Sequence, residues 1–288
     1  MEKALVIGAS GQVGAALFKQ LSTKLVVVGT YNSTKKNNLV YLDVNESKNV
    51  EKLINEIKPS YVFICSAIIS IDFCEQNPEI ANKVNVEGTK NIVKAAKKIG
   101  AKVIFLSTEY IFDGKKGPYK EGDSPNPLNV YGRTKLESEK IVLSLKKSLV
   151  VRSTLVFSLG YDEHNLLHVI VKNLKAGKKI NIVDDQITNP ISADNLAEAI
   201  TDLSLRDKSG IYNIASPKRM SRYEFAIKAA NVFGLDIDLV KAVKTSVFRQ
   251  KVNRPLSCGL VVDKFKKNSR IRLLGVEEAV SFYKSKVV

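Results

Sequence analysis

The sequence contains no tryptophan, only two histidines and only three cysteines among its 288 residues. The cysteines, Cys65, Cys74 and Cys258, are odd in number and lack the spacing of metal ligands, so we expect free thiols. His164 and His168 are four residues apart, but no glutamate precedes the second histidine as it does in an HExxH zinc motif. We therefore expect no metal site.

Long apolar runs are also missing. No segment approaches the roughly 18 consecutive apolar residues that a membrane helix needs. The N-terminal Met-Glu-Lys leads directly into the apolar run 4–7, without the basic and apolar regions of a signal peptide. From these absences we expect no membrane association and a cytoplasmic location.

Acidic residues are few relative to basic ones: the chain has 45 lysines and arginines but only 29 aspartates and glutamates, which gives a net charge of +16. Such an excess can attract nucleic acid, a membrane surface or anionic small molecules. Here many positive residues are scattered as lysine pairs, without a basic stripe or interleaved aromatic residues. We interpret the charge first as a solvated surface and second as a field for a phosphate-bearing substrate, and we expect no nucleic-acid partner.

The N-terminus has the order strand, glycine-rich turn, helix. An apolar run over 3–7 precedes GASGQVG at 8–14, and residues 15–21 follow with helical spacing. Glycines spaced as GxxGxxG allow a tight turn, close approach of a pyrophosphate and packing of the helix on the strand. The positive end of the helix dipole favours the phosphates. We predict a dinucleotide site with contacts from Gly8, Ser10, Gly11, Gln12, Val13 and Gly14.

The second predicted strand, 24–29, is not followed by the acid that binds the adenosine ribose in NAD-selective sites. The sequence TYNSTKK at 30–36 follows instead. Its hydroxyls, amide and two lysines suit a 2′-phosphate, so NADP(H) is favoured and NAD(H) is the alternative. A third strand ends at Asp43, near the expected adenine, and small residues follow a fourth strand, 61–65. Along this part of the cofactor we expect contacts from Tyr31, Asn32, Asp43, Val44, Cys65, Ser66 and Ala67.

Candidate catalytic residues follow a fifth buried strand. Tyr131 and Lys135 are four residues apart, so a helix capped by Asn129 would place both side chains on one face. A nearby lysine cation lowers the pKa of a tyrosine, which would allow Tyr131 to exchange a proton with a substrate oxygen. Ser107 and Thr108 end the strand, where their hydroxyls are placed to bind the same oxygen. YxxxK alone is common on ordinary helices, so the motif gains weight only from its neighbours.

Strands alternate with helices, which predicts an α/β fold: a doubly wound parallel sheet of the Rossmann type with its ligand at the carboxyl ends of the strands. One long helix is expected over 75–99. We assign 1–157 to a dinucleotide-binding domain, to which 191–216 return. A smaller C-terminal substrate-binding lobe would comprise 158–190 and 217–288.

Five motifs occur in order: GASGQVG at 8–14, STEYIFDG at 107–114, PYxE at 118–121, PxPLNVYGxTKLxxEK at 125–140 and DQxxxP at 185–190. With these motifs the chain resembles the extended short-chain dehydrogenase/reductases, and more narrowly the dTDP-4-dehydrorhamnose reductase family. The resemblance covers nearly the whole chain and is strongest over 107–140. Two departures are STEY in place of the family's STDY, and Arg-Pro-Leu-Ser-Cys at 254–258 in place of RPxNS. Both concern substrate recognition more than hydride chemistry.

The resemblance implies NAD(P)H-dependent reduction of the C4 ketone of a nucleotide-linked 4-dehydro-6-deoxysugar, with dTDP-L-rhamnose as the family's product. In the implied catalytic trio, Thr108 orients the ketone, Tyr131 donates the proton, and Lys135 holds the nicotinamide ribose and tunes the tyrosine. Tyr131 and Lys135 would therefore also contact the cofactor. Arg254 would bind the substrate diphosphate. The expected substrate contacts are Ser107, Thr108, Glu109, Tyr110 and Arg254.

Two other functions fit the same motifs. Another nucleotide-sugar reductase or epimerase of this superfamily would use the same trio. Dehydratases typically carry an Asp-Glu pair directly after the threonine, whereas Glu109 stands alone here, which argues against dehydration. The family also resembles the regulatory subunit of methionine adenosyltransferase, which is a binding partner, although the intact trio favours an enzyme. A homodimer is a further expectation.

Overall fold

A computed structural model describes residues 2–159, 165–248 and 252–286. The strands are β1 (Lys3–Ile7), β2 (Val26–Tyr31), β3 (Val40–Tyr41), β4 (Tyr61–Ile64), β5 (Lys102–Thr108), β6 (Ser148–Ser153), β7 (Val156–Phe157), β8 (Ile180–Val183), β9 (Ile187–Thr188), β10 (Ile191–Ser192), β11 (Gly210–Asn213), β12 (Met220–Ser221) and β13 (Val240–Val243). The α-helices are α1 (Gln12–Ser22), α2 (Ser47–Ile57), α3 (Ile71–Gln76), α4 (Pro78–Asn82), α5 (Gly88–Lys98), α6 (Val130–Leu143), α7 (Leu166–Lys175), α8 (Ala193–Leu205), α9 (Arg222–Phe233), α10 (Asp263–Asn268) and α11 (Val276–Ser285).

The central sheet has seven strands in the order β11-β6-β5-β4-β1-β2-β3. Its pairings are parallel, which confirms the predicted doubly wound Rossmann-type sheet. Strand order runs outward in opposite directions from β1 and β4, so these two neighbours mark the topological switch point. Ligands of such sheets bind in the crevice at the carboxyl ends of the strands beside that point.

The core lies on both faces of this sheet because consecutive residues of a strand point to opposite sides. Ala4 and Val6 of β1 belong to a hydrophobic cluster that includes residues of α1 and α8. Leu5 and Ile7 belong to a second cluster with residues of α2 and α5. All four side chains are fully buried, which explains why β1 is a continuous apolar run in the sequence.

A third hydrophobic cluster lies apart from the sheet and joins α7, α9 and α11. The ring centroids of Phe157 and Phe225 are 5.0 Å apart within it. Two small strand pairs, β8 with β13 and β9 with β12, belong to the same part of the chain. We propose from this separate cluster that 158–190 and 217–288 form the substrate lobe, and that 1–157 with 191–216 form the dinucleotide-binding domain.

The single helix predicted over 75–99 is wrong. The chain forms α3, α4, a π-helical turn over Lys83–Glu87 and then α5. Pro78 at the first position of α4 explains the first break, because proline lacks an N–H and disfavours helical geometry in the residue before it. Asn77 accordingly has φ −132° and ψ 63°.

The π-helical turn contains a buried asparagine that joins two segments near the cleft. The Asn85 side chain accepts a hydrogen bond from the Ile68 N–H at 2.8 Å and donates to the Ile68 carbonyl at 3.1 Å. Its amide also donates to Thr134 Oγ1 on α6 at 3.0 Å. The loop after β4 is thereby tied to the helix that carries Tyr131.

Two sequence-based expectations concern metals and membranes. In the described ranges, no group of three or more His, Cys, Asp or Glu side chains is placed to hold a metal ion. His164 of the predicted histidine pair lies outside those ranges. Of the helices over 2–159, 165–248 and 252–286, none is long and apolar enough to cross a membrane. Cys65, Cys74 and Cys258 are free thiols.

Candidate active site

The glycine-rich turn connects β1 to α1 at the switch point. Gly8 has φ +87°, and a Cβ there would lie 2.7 Å from the Ser66 nitrogen. A Cβ on Gly14 would lie 2.1 Å from the Gly8 carbonyl oxygen, so α1 approaches the turn too closely for any side chain. The Gly8 N–H donates to Thr30 Oγ1 at 3.2 Å. With no side chains at Gly8 and Gly14, a pyrophosphate can approach the backbone of the turn at the N-terminus of α1.

A cavity of about 410 Å³ extends from this turn along the ends of β2 and β4. Ten predicted cofactor contacts line it: Gly8, Ser10, Gly11, Tyr31, Asn32, Asp43, Val44, Cys65, Ser66 and Ala67. Thr30 and Ser33 also line it, whereas Lys35 and Lys36 lie outside its wall. The hydroxyl and amide part of the expected 2′-phosphate site therefore faces the cavity, and the lysine part does not. The Asp43 carboxylate accepts a hydrogen bond from the Asn45 N–H at 2.9 Å, which stabilises the turn after β3.

A second cavity of about 380 Å³ shares Gly11, Cys65 and Ala67 with the first, so the two form one cleft. The predicted residues that line it are Gln12, Val13, Gly14, Ser107, Thr108, Glu109, Tyr110, Tyr131, Lys135 and Arg254. All the site residues predicted from the sequence therefore lie on one or the other wall. Sequence reasoning missed Arg222, Ile69, Ile71 and the residues 153–155, which also line this second cavity.

Tyr131 lies in the first turn of α6. As predicted, Asn129 caps this helix, because its side chain accepts a hydrogen bond from the Gly132 N–H at 2.9 Å. The Asn129 amide also donates to the Asn253 carbonyl at 3.1 Å, which fixes the helix start against the segment that carries Arg254. The rings of Tyr131 and Tyr110 meet edge to face, with centroids 6.0 Å apart.

The expected lowering of the Tyr131 pKa by Lys135 is wrong. Burial raises the pKa of Tyr131 above its ordinary value, and the nearby Thr108 hydroxyl only partly opposes this. Desolvation penalises the phenolate more than the Thr108 hydrogen bond favours it, and the nearby Tyr110 and Cys74 raise the pKa further. Tyr131 is therefore a neutral phenol, which is the form that can donate a proton.

Lys135 is 4% exposed, and its Nζ lies 4.0 Å from the centroid of the Phe105 ring. Burial lowers the pKa of Lys135 to about 8, against opposing effects of Glu139 and Cys65. Glu139 lies one helical turn further along α6 and forms a buried salt bridge with Arg152, with 2.7 Å between Oε2 and Nη2. The Lys135 ammonium thus lies in an apolar environment, and the nearby Glu139 carboxylate is already paired with Arg152.

Ser107 differs from the expectation that both strand-end hydroxyls bind the substrate oxygen. Its Oγ donates to Glu139 Oε1 at 2.5 Å. The Thr108 hydroxyl accepts a bond from the Tyr110 N–H at 3.2 Å, which leaves its own proton available. Both residues line the cleft, but the Ser107 hydroxyl proton is used by Glu139, whereas that of Thr108 is free to act beside Tyr131.

Glu109 also differs from the expectation that the acid lies near the sugar. Its carboxylate is buried and accepts hydrogen bonds from Thr188 Oγ1 at 2.7 Å and from the Gly259 N–H at 2.8 Å. Burial raises the pKa of Glu109 to about 7. The carboxylate therefore connects the turn after β5 to two segments far away in the sequence, one at Thr188 and one at Gly259.

Two arginines line the sugar end of the cleft. Arg254 Nη2 lies 2.9 Å from Asp72 Oδ2, so the expected phosphate ligand is paired with a carboxylate of α3. Arg222 begins α9 and follows Ser221, which forms a capping box with Glu224. The SRYE pattern could have predicted this helix start, but the position of Arg222 in the cleft depends on how the lobe packs.

The parallel sheet, the glycine turn at its switch point, and the Thr108, Tyr131 and Lys135 side chains on the cleft wall define an extended short-chain dehydrogenase/reductase. More narrowly, the chain belongs to the RmlD substrate binding domain family, whose sequence profile matches residues 2–287.

Known proteins that are similar to this chain include reductases and subunits of a methionine adenosyltransferase. A dTDP-4-dehydrorhamnose reductase of Aggregatibacter actinomycetemcomitans is 30% identical, over 92% of this chain and 92% of that protein. The methionine adenosyltransferase 2 subunit beta of Xenopus tropicalis is 32% identical, over 81% of this chain and 72% of that protein. The crystal structure of a dTDP-4-dehydrorhamnose reductase from Bacillus anthracis, in complex with NADP, matches with a TM-score of 0.91 and 25% identity, over 99% of both chains.

Proposed function

We propose that this protein is an NAD(P)H-dependent reductase, with NADPH favoured, that reduces the C4 ketone of dTDP-4-dehydro-L-rhamnose to give dTDP-L-rhamnose. The observation that carries the proposal is the position of Thr108, Tyr131 and Lys135 on the wall of the second cavity, directly beside the glycine turn. Similarity to dTDP-4-dehydrorhamnose reductases along nearly the whole chain supports the substrate.

The residues of the first cavity fit a dinucleotide. The turn around Gly8 and Gly14 leaves no room for a Cβ, and such a turn brings main-chain N–H groups close to a pyrophosphate. Thr30, Asn32 and Ser33 would face the adenosine ribose and its 2′-phosphate. Lys135, at the junction of the cavities, would hold the nicotinamide ribose. When bound, the reduced cofactor supplies the hydride.

The proton in this reaction would come from Tyr131. Its raised pKa keeps the phenol protonated at neutral pH, and the Thr108 hydroxyl beside it would donate to the same ketone oxygen. As negative charge develops on that oxygen, both donors stabilise it and Tyr131 transfers its proton. Lys135 would act by holding the nicotinamide ribose, and its pKa of about 8 leaves the ammonium mostly charged at neutral pH.

The substrate would occupy the second cavity, with its sugar near Tyr110 and its diphosphate near Arg254. We further propose that the protein acts in the cytoplasm on this small molecule, without nucleic-acid or membrane partners, and that it forms a homodimer. The molar mass in solution, measured by light scattering, tests the dimer.

A second candidate function follows from the similarity to methionine adenosyltransferase 2 subunit beta. In that case the protein would bind a cofactor and a synthetase without catalysing reduction. Copurification with a methionine adenosyltransferase, together with no turnover of any nucleotide sugar, would favour this function.

The decisive experiment follows NADPH absorbance after addition of dTDP-4-dehydro-6-deoxy-L-mannose. The proposal predicts stoichiometric oxidation of NADPH, and NADH should be the poorer cofactor. A cofactor that is regenerated in each cycle would instead indicate an epimerase. Cofactor binding without oxidation would leave the fold assignment intact and exclude this reduction.

A further inference from the structure

Arg222 and Arg254 lie on the same wall of the second cavity, although 32 positions separate them along the chain. Both guanidinium groups are close enough to the Tyr110 hydroxyl to lower its pKa, against a larger opposite effect of burial. Two fixed positive charges therefore act on one point of the sugar end. A diphosphate carries more than one negative charge and offers several acceptor oxygens, so such a pair suits it.

The two arginines differ in their present partners. Arg254 forms its salt bridge with Asp72 of α3, with 2.9 Å between Nη2 and Oδ2. Arg222 has no salt bridge to any residue within 2–159, 165–248 and 252–286. Arg222 is close enough to the buried Glu109 carboxyl to lower its pKa, but within the described ranges it has no ion pair to exchange. Arg254 must give up Asp72 to bind another anion.

The Asp72–Arg254 pair has the properties of an exchangeable contact. The Asp72 side chain is 51% exposed, and solvent-exposed ion pairs contribute little to stability. The Arg254 side chain is only 17% exposed, and its Nε is buried without a hydrogen-bond partner. A buried donor without an acceptor is unfavourable, so the present arrangement satisfies Arg254 incompletely. A ligand with several acceptor oxygens can satisfy it better.

We infer that Asp72 is an internal counter-ion of Arg254, that the diphosphate of the nucleotide substrate displaces it, and that Arg222 is the second cation of this diphosphate site. The inference rests on the proposed function. Asp72 is then an affinity-determining residue, because every anionic ligand must compete with its carboxylate. A ligand without phosphate gains nothing from displacing it.

The test uses the full chain saturated with NADP⁺, so that the added nucleotide cannot enter the cofactor cavity. Calorimetry measures the binding of dTDP, and of thymidine as the ligand without phosphate. Asp72→Asn should bind dTDP about three- to fivefold more tightly than the wild type, as expected for loss of a partly exposed competitor. Arg222→Met should bind dTDP at least about tenfold more weakly, as expected for loss of a charged hydrogen-bond donor. Thymidine binding should not change in either variant.

Glu79→Gln is the matched control, because it removes an exposed negative charge from the neighbouring helix α4. It should leave dTDP binding unchanged. In an Arg254→Gln background, Asp72→Asn should no longer tighten binding, because the pair that it breaks is already absent.

Equal or weaker dTDP binding by Asp72→Asn would overturn the role of Asp72 and leave the diphosphate site standing. If Glu79→Gln tightens dTDP binding as much as Asp72→Asn does, the role of Asp72 is also overturned, because the loss of any nearby negative charge would then explain the effect. Unchanged dTDP binding by Arg222→Met would overturn the second cation. If the NADP⁺-bound wild type does not bind dTDP at all, the proposed function and this inference both fail.

Discussion

The two ends of the cleft are built from different kinds of chemical group. At the cofactor end, the wall comes mostly from four short segments near 8–11, 30–33, 42–45 and 65–68, and it includes the glycine-rich turn, where close backbone approach shapes the site. At the sugar end, it consists of charged, aromatic and hydroxyl side chains from β5, α6, α9 and the segment around Arg254. A main-chain site depends on local backbone geometry. A side-chain site depends on which distant segments the fold brings together.

Removal of the Tyr131 hydroxyl at the sugar end should have the largest effect on turnover. Tyr131→Phe keeps the ring and its contact with Tyr110 but removes the proton donor, so turnover should fall by about 10²- to 10⁴-fold. The substitution removes no charged group and changes no residue of the first cavity. The NADPH dissociation constant should therefore stay within about twofold of the wild type. Steady-state kinetics and cofactor titration measure the two effects. Turnover near that of the wild type would refute the assigned proton donor.

The buried Glu109 carboxylate, which binds Thr188 and the Gly259 N–H, should make stability depend on pH. The pKa of Glu109 is raised from 4.5 to about 7 on folding, so the folded protein binds a proton that the unfolded chain has lost. The wild type therefore loses unfolding free energy as pH rises from about 4.5 to about 7, by roughly 3 kcal/mol. Glutamine at this position does not titrate.

Urea unfolding of the wild type and of Glu109→Gln at about pH 5 and about pH 8 measures this difference. The variant should gain stability relative to the wild type at the higher pH. A difference between the two proteins that is the same at both pH values would show that Glu109 does not titrate on folding in this range.

Alanine substitutions at two glycines of the same turn should differ in their effect on stability, although both should weaken cofactor binding. Gly14→Ala places a Cβ 2.1 Å from the Gly8 carbonyl oxygen, so it should destabilise the protein by about 1–3 kcal/mol. Gly11→Ala meets the same oxygen at 3.4 Å, an ordinary contact, and should cost less than about 1 kcal/mol. Both variants should bind NADPH more weakly. Equal unfolding free energies would contradict the tight packing of α1 on the turn.

The smallest predicted effect concerns the junction of the two ends. Lys135 has a pKa of about 8, so its positive charge is lost as pH rises through that value. The affinity for the anionic NADPH should fall severalfold between about pH 7 and about pH 9.5. Lys135→Met should bind more weakly at the lower pH and lose this pH dependence. A pH dependence that persists in the variant would assign it to another group.

The cofactor half could be predicted from the sequence because its signals are local. The apolar run of β1, the spacing of Gly8 and Gly14, and the helical pattern after them specify one unit without reference to the rest of the chain. The cap at Asn129 is local in the same way. The bounds of β2 lie two residues further along the chain than predicted, because hydrogen-bonded pairing, and not composition, determines where a strand ends.

The sugar half could be predicted only in part. Its residue types were found through motifs, but the orientation of Ser107 and Glu109 depends on partners far away in the sequence, Glu139 and Thr188. Arg222 was missed for the same reason. The Tyr131 pKa was assigned the wrong direction because spacing shows a nearby lysine but does not show the loss of solvent around the phenol.

Transfer of a labelled hydride tests the central claim most directly. The protein would be incubated with NADPH deuterated on the transferred position of the nicotinamide and with dTDP-4-dehydro-6-deoxy-L-mannose, and the sugar product would be analysed by mass spectrometry and NMR. We predict one deuterium atom at C4 of the product sugar for each NADPH oxidised, and about 10²- to 10⁴-fold less labelled product with Tyr131→Phe over the same time. An unlabelled product, or no product from a protein that binds NADPH, would contradict the assignment of this cleft as a ketone-reducing site.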